Sequence, residues 1–186
     1  MAWQQIQSIG TKQFRCGYCG FNVANDKGYY YSSRSHTTQK KVYVCPNCNS
    51  ATFFDEGGKQ FPGVSPGNEV THLPHDLAEL YREARNCCSV SAFTASVLAS
   101  RKMLMNIAVA KDAPEGLRFI QYVEYLAESG YIPPNGRAWV DHIRRKGNEA
   151  THEISLMNQS DAEELIAFVE MLLKFVYEFP SRVPTP

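Results

Sequence analysis

CGYCG, Cys16 to Gly20, is the stretch on which the fold turns. It sets two cysteines at two-residue spacing, and CPNCN, Cys45 to Asn49, repeats the pattern with 25 residues between the second and third cysteines. Such a turn lets both thiolates face one ion, and its backbone amides can donate to the sulfurs. Gly20 after the first pair and Pro46 inside the second suit tight turns. Together the turns offer four sulfurs, Cys16, Cys19, Cys45 and Cys48, to a tetrahedral zinc ion. A site closed by four thiolates has no open position, so this zinc is expected to be structural. Disulfide bonding is the other use of such cysteines, and a reducing compartment disfavours it.

That compartment is read from the rest of the chain. MAWQQIQSIG, residues 1–10, has no basic region followed by an apolar run of the secretory kind. No stretch approaches the roughly 18 uninterrupted apolar residues of a membrane span. A cytosolic location, with no membrane partner, is the expectation.

Between and beside the cysteine turns the sequence reads as strand. KGYYYSS (27–33), QKKVYVC (39–45) and ATFF (51–54) are β-rich runs. This unit has too few apolar residues to bury a core of its own, so the metal is expected to hold it together. Residues 1–60 carry seven Lys/Arg against three acids, a balance of +4, whereas the remainder carries twelve against sixteen, or −4. The net charge of zero for all 186 residues hides that asymmetry. Lys12, Arg15, Arg34, Lys40 and Lys41 are interleaved with Phe14, Tyr18, Phe21, Tyr29, Tyr30, Tyr31 and Tyr43. Basic residues among aromatics can contact phosphates and stack on bases. The favoured expectation is plainer: the aromatics form the small core and the charges a solvated surface.

DEGGKQFPGVSPGNEVTHLP (55–74), rich in Gly and Pro, reads as connection without helical period. The expected organisation is a β zinc ribbon over 1–56, a linker over 57–72, an all-α antiparallel bundle of about five helices over 73–180, and a tail over 181–186. Leu77, Leu80, Ala84 and Cys88 make the first helical stripe, with Pro74 near its start. Ala95, Leu98, Ala99, Met103 and Ile107 make the second. Leu117, Ile120, Val123 or Glu124, and Ala127 make the third, closed by Gly130 as the residue after the cap. Trp139, Ile143, Gly147, Ala150 and Ile154 make the fourth. The fifth runs through Leu165, Phe168, Val169, Leu172, Phe175 and Val176, with a Ser160/Glu163 capping box before it and Pro180 after it. Short connections between amphipathic helices imply antiparallel packing. Cys87 and Cys88 read as small apolar side chains.

IRRKGNEATHE, Ile143 to Glu153, is the second stretch with chemical content. On a continuous helix Asn148 and His152 are i, i+4 neighbours, and Arg145 lies nearly on the face of His152, about 10.5 Å of rise away. Histidine exchanges protons near neutral pH, and arginine stabilises charge developing on a phosphoryl group. The other reading is a solvated basic helix end of Arg144, Arg145 and Lys146, with His152 set against the dipole.

LPHDLAELYREARNCCSVSAFTASVLASRKML, IRRKGNEATHE and DAEELIAFVEMLLKFVYEFP together resemble the bacterial domain-of-unknown-function family 4145, over roughly residues 70–180. That family is similar to HEPN domains, all-α bundles of which many are metal-independent ribonucleases of toxin and antiviral systems. Their motif is Arg, four to six residues, then His, which Arg145-x6-His152 fits at its long end. A polar residue, often Asn, follows the Arg in typical members; here Lys146 does, and Asn148 comes later. The resemblance implies His152 as general acid/base for attack of a ribose 2′-hydroxyl, Arg145 (or Arg144) as phosphate ligand, Asn148 as its orienter, and a homodimer. Two readings follow: an RNA-directed endoribonuclease of bacterial defence or stress response, and a non-catalytic dimeric adaptor or nucleic-acid-binding module.

Overall fold

The structure is a computed structural model, and it describes residues 3–33, 39–136, 139–140, 143 and 156–183. The chain divides into two compact units, Met1–Ser65 and Pro66–Pro186.

The first unit is an antiparallel meander: β1 (Gln7–Arg15), β2 (Asn22–Ser32), β3 (Gln39–Val44), β4 (Ala51–Phe54) and β5 (Gln60–Phe61), in that spatial order. The three expected strands are present as β2, β3 and β4. β1 slips against β2 between Ser8 and Lys12, a bulge that bends the ribbon at Gly10. The bend brings Phe14 of β1 over Tyr43 of β3 and Phe54 of β4. These three rings meet with centroids 5.4–6.0 Å apart, and they form the unit's core with Cys16 and Cys45. Tilted and edge-on ring pairs place positive edges against negative faces. Lys12 lies over the Phe54 ring, Nζ 4.5 Å from its centroid.

The second unit is helical: α1 (His75–Ser89), α2 (Phe93–Val109), α3 (Phe119–Glu128) and α4 (Gln159–Leu173). Thus four helices of ten residues or more lie among the described residues, where about five were expected. The fourth expected helix falls mostly outside the described residues. Its described members Trp139, Val140 and Ile143 are helical; Val140 and Ile143 are buried, and Trp139 stands edge-on to Phe168. α2 packs against α1, α3 and α4. The core between them includes Tyr81, Met103, Leu104, Ile107, Leu126, Phe168 and Leu172. α3 ends as expected: Gly130, at φ +80°, donates to Ala127 O and Tyr131 donates to Leu126 O.

Several helical details differ from the expectation. Leu98 is exposed, and the inward stripe of α2 runs through Val97, Ser100, Leu104, Ile107 and Ala108. α2 is apolar on most of its faces, so spacing alone does not choose the inward one. α4 is capped two residues earlier than the sequence implied. Asn158 accepts from Asp161 N (3.1 Å) and Asp161 accepts from Asn158 N (3.0 Å), while Ser160 spends its hydroxyl on Glu164. Past Leu173 the helix widens to a π-turn, Lys174–Glu178. That turn leaves Phe175 exposed, and Pro180 lies inside a further short helical turn, Phe179–Ser181.

The expected linker, 57–72, is shared between the units. Its first part holds β5. Its second part is clasped to the bundle by three charged side chains. Arg85 donates to Pro66 O (2.8 Å) and Gly67 O (3.1 Å) and pairs with Glu69. Glu170 accepts from both the backbone and side-chain nitrogens of Asn68, at 2.9 and 3.0 Å, and from Lys174. Glu178 accepts from Thr71 N (3.0 Å) and from Arg182.

Candidate metal centre

The two cysteine turns are local copies of each other. Cys16 N donates to Phe21 O and Gly20 N to Cys16 O; Cys45 N donates to Ser50 O and Asn49 N to Cys45 O, all at 2.9 Å. Gly20 and Asn49 occupy the same place in the two turns, at φ +71° and +60°. Glycine and asparagine are the residues that tolerate that conformation best. A Cβ on Gly17 would come within 2.4 Å of Pro62 O and 2.5 Å of Gly63 O, so the chain after β5 packs directly on the first turn.

The Sγ atoms of Cys16, Cys19, Cys45 and Cys48 all lie within 4.8 Å of one another. Cys16 and Cys48 are 3.7 Å apart, and Cys19 and Cys45 3.8 Å. A regular tetrahedron with metal–sulfur bonds of about 2.3 Å has edges of about 3.8 Å. A disulfide would need about 2.05 Å, and the cysteines are free. The donor set therefore fits a four-thiolate metal ion. Cys16 and Cys45 are buried, and Cys19 and Cys48 half-buried.

Hydrogen bonds to sulfur complete the frame. Tyr18 N donates to Cys16 Sγ (3.4 Å), and Asn47 Nδ2 reaches from the second turn to Cys19 Sγ (3.5 Å). Burial pushes the Cys16 thiol up to about 12. At Cys19 burial also resists ionisation, but the Asn47 side chain and the backbone at Phe21 outweigh it and bring the thiol down to about 6. Four partly buried thiolates accumulate charge that the protein alone does not neutralise, and a divalent cation does.

The described members of the predicted basic set have separate contacts. Lys12 covers Phe54, Arg15 donates to Gly20 O (2.9 Å), and Lys41 donates to Ile9 O (3.2 Å). Lys40 is exposed on β3. Arg34, Arg144, Arg145, Asn148 and His152 lie outside the described residues. The aromatics divide: Phe14 and Tyr43 are core as expected, but Tyr18, Phe21, Tyr30 and Tyr31 are 53–61% exposed. Cys88 is buried and its thiol is pushed up to about 11 by that burial, as suits an inert core side chain. Sequence reasoning missed Asn47, Asn49 and Gly17. The one available signal was the Asn after Cys48, in register with the Gly after Cys19.

Fold and centre together define a class: a four-cysteine metal-site β unit followed by an all-α unit. The family model described as "Domain of unknown function (DUF4145)" matches residues 82–185, and the chain belongs to that family. Comparisons with curated proteins and with solved structures gave no match. No helix among the described residues is long and apolar enough to cross a membrane.

Proposed function

We propose that the protein is RNA-directed: a zinc ribbon captures nucleic acid, and a HEPN-like bundle carries the ribonuclease candidates Arg145, Asn148 and His152. The observation that carries this reading is the exposure of Tyr18, Phe21, Tyr30 and Tyr31 within residues 1–60, the segment that holds the positive charge. Aromatic faces beside cations suit bases and phosphates together. Zinc is the ion that best matches four thiolates, near-tetrahedral sulfur spacing and a site without an open position, and its role is structural. Cleavage, where it occurs, is then independent of added metal. His152 takes the 2′-hydroxyl proton, Arg145 steadies the phosphate, and a second copy of the bundle completes the site.

The acidic balance of residues 61–186 favours a second reading, a non-catalytic dimeric adaptor whose ribbon does the recognition. RNA cleavage by wild-type and His152→Ala protein, in chelator-treated buffer, separates the two. Loss of cleavage in the variant alone supports the enzyme. No cleavage by either, across several RNAs that the protein binds, supports the adaptor. Absence of RNA binding removes the RNA-directed reading and leaves an adaptor whose ribbon recognises another ligand.

A further inference from the structure

The sheet of the first unit has a second face, opposite Phe14, Tyr43 and Phe54. Residues directly opposed in an antiparallel pair share a face, and neighbours along a strand alternate. Tyr29 pairs with Val42, Val42 with Phe53, and Phe53 with Phe61. One row of half-buried apolar side chains thus crosses β2, β3, β4 and β5. Trp3 extends it, its ring 6.3 Å from that of Tyr29 and its Nε1 fixed to Asn49 O (3.0 Å). Phe53 and Phe61 stand 6.0 Å apart at the other end. The next position outward on this face pairs exposed Tyr31 with exposed Lys40.

Lys40 stands on β3, two residues along the strand from Val42 of the row, and Lys59 lies over the Phe61 ring at the row's β5 end, 5.0 Å from its centroid. Of the nearby acids, Asp55 accepts from Lys59 N (2.8 Å), Asp26 is held by Ser8 and Lys27, and Glu56 is exposed in the turn between β4 and β5. Strand spacing puts Tyr29 and Phe61 about 14 Å apart, room for about two or three stacked bases.

We infer that this face, Trp3, Tyr29, Tyr31, Phe53 and Phe61 with Lys40 beside the row and Lys59 at its β5 end, is a stacking platform for a single-stranded RNA segment. The inference rests on the reading of the protein as RNA-directed and specifies which strand state it takes and where. Stacking on exposed rings needs unpaired base faces, which a duplex keeps inside its own stack. The two lysines stand where flanking phosphates run. A protein partner would also bury apolar rings, but exposed Lys40 beside the row and Lys59 over its last ring favour a polyanion.

The test uses the full-length, zinc-loaded chain with a labelled unstructured 12-nucleotide RNA and the duplex of the same sequence. Expected are tighter binding of the single strand by about tenfold or more, and a loss of about 5- to 100-fold in Tyr31→Ala and in Phe61→Ala. Tyr31→Phe should retain wild-type affinity, because the ring rather than the hydroxyl carries the contact. Lys40→Ala should lower the slope of log affinity against log salt by about 0.7. Leu98→Ala, exposed on α2 of the second unit, should bind as wild type. Tyr31 is exposed, so its variant is not expected to unfold, and zinc content checks the unit in each case. Single-strand binding unaffected by both Tyr31→Ala and Phe61→Ala, or equal affinity for the duplex, overturns the platform and leaves the RNA-directed reading standing. Failure to bind any RNA overturns both.

Discussion

Replacing Cys45 by serine tests the metal centre most directly. Cys45 is fully buried, and its Sγ sits 3.8 Å from that of Cys19, one edge of the sulfur tetrahedron. A serine hydroxyl stays protonated at neutral pH and is a poor substitute for a thiolate. Structural four-ligand zinc sites have apparent binding free energies of about 10–16 kcal/mol at pH 7. Four near-equivalent sulfurs make one ligand's share about 2.5–4 kcal/mol, or roughly two to three orders of magnitude in affinity. The unit's folding is linked to that binding by mass action, so its stability falls with it. Among the described residues Phe14, Tyr43 and Phe54 join Cys16 and Cys45 in the unit's buried cluster, with Val44 buried beside them, too little to hold the sheet alone.

The measurement is competition with a chromophoric chelator under reducing conditions, beside near-ultraviolet dichroism for the buried Tyr43 and far-ultraviolet dichroism for the helices. Wild type should hold one zinc per chain. Cys45→Ser should lose affinity by the factor above and lose its aromatic signal. Helical signal should persist, because the core around Leu104, Ile107 and Phe168 draws on residues of the second unit alone. Cys87→Ser, which alters a cysteine outside the cluster, should leave zinc affinity unchanged. Equal zinc affinity in the two serine variants, or wild-type protein without zinc, would refute the reasoning.

Other outcomes follow from the clasp and the core. Glu170→Gln should cost about 2 kcal/mol at pH 7, since three hydrogen bonds to a carboxylate weaken together. Burial opposes ionisation of Glu170, but Lys174 and Asn68 hold its carboxyl below the ordinary range. Its contribution is therefore full above the unfolded carboxylate pKa and fades as pH falls through the folded one. Denaturant midpoints between pH 7 and pH 3 should drop less for the glutamine variant than for wild type. Arg85→Met should destabilise the bundle by about 2–4 kcal/mol in urea unfolding, by stranding Pro66 O and Gly67 O. Ser100→Ala should be neutral or stabilising by up to about 1 kcal/mol in thermal melts, because its buried hydroxyl has no partner among the described residues and alanine favours the helix.

The cysteine turns were legible because two-residue spacing is itself a geometric statement: it brings two sulfurs to one point whatever surrounds them. β2, β3 and β4 were legible from runs such as YYY and KVYV, whose branched and aromatic residues fit a pleated surface. β1 was not, because QSIGTKQFR is interrupted at Gly10 by a bulge and has no two-residue alternation. β5 spans Gln60–Phe61, too short for any period. The cap of α4 was misplaced because Asn158/Asp161 and Ser160/Glu163 both satisfy the same rule, and only the fold assigns Ser160 and Glu163 to i, i+4 contacts with Glu164 and Gln159. The clasp had no local signature at all. Asn68 and Glu170 are 102 residues apart, and each reads alone as a solvated polar side chain.

The division of the aromatics has a common cause with the metal. A small sheet without a metal must turn its rings inward to offset the entropy of ordering the chain. Here a four-sulfur cluster ties the two turns that begin at Cys16 and Cys45, and three rings suffice between them. The sheet's other rings are thereby left for the surface, in a row set by cross-strand register rather than scattered. A register-set row is rigid, so under the proposed RNA-directed reading little order would have to be gained for bases to stack on it. Under that reading the ion and the RNA would never touch, and the four-sulfur cluster would carry the fold so that the aromatics need not.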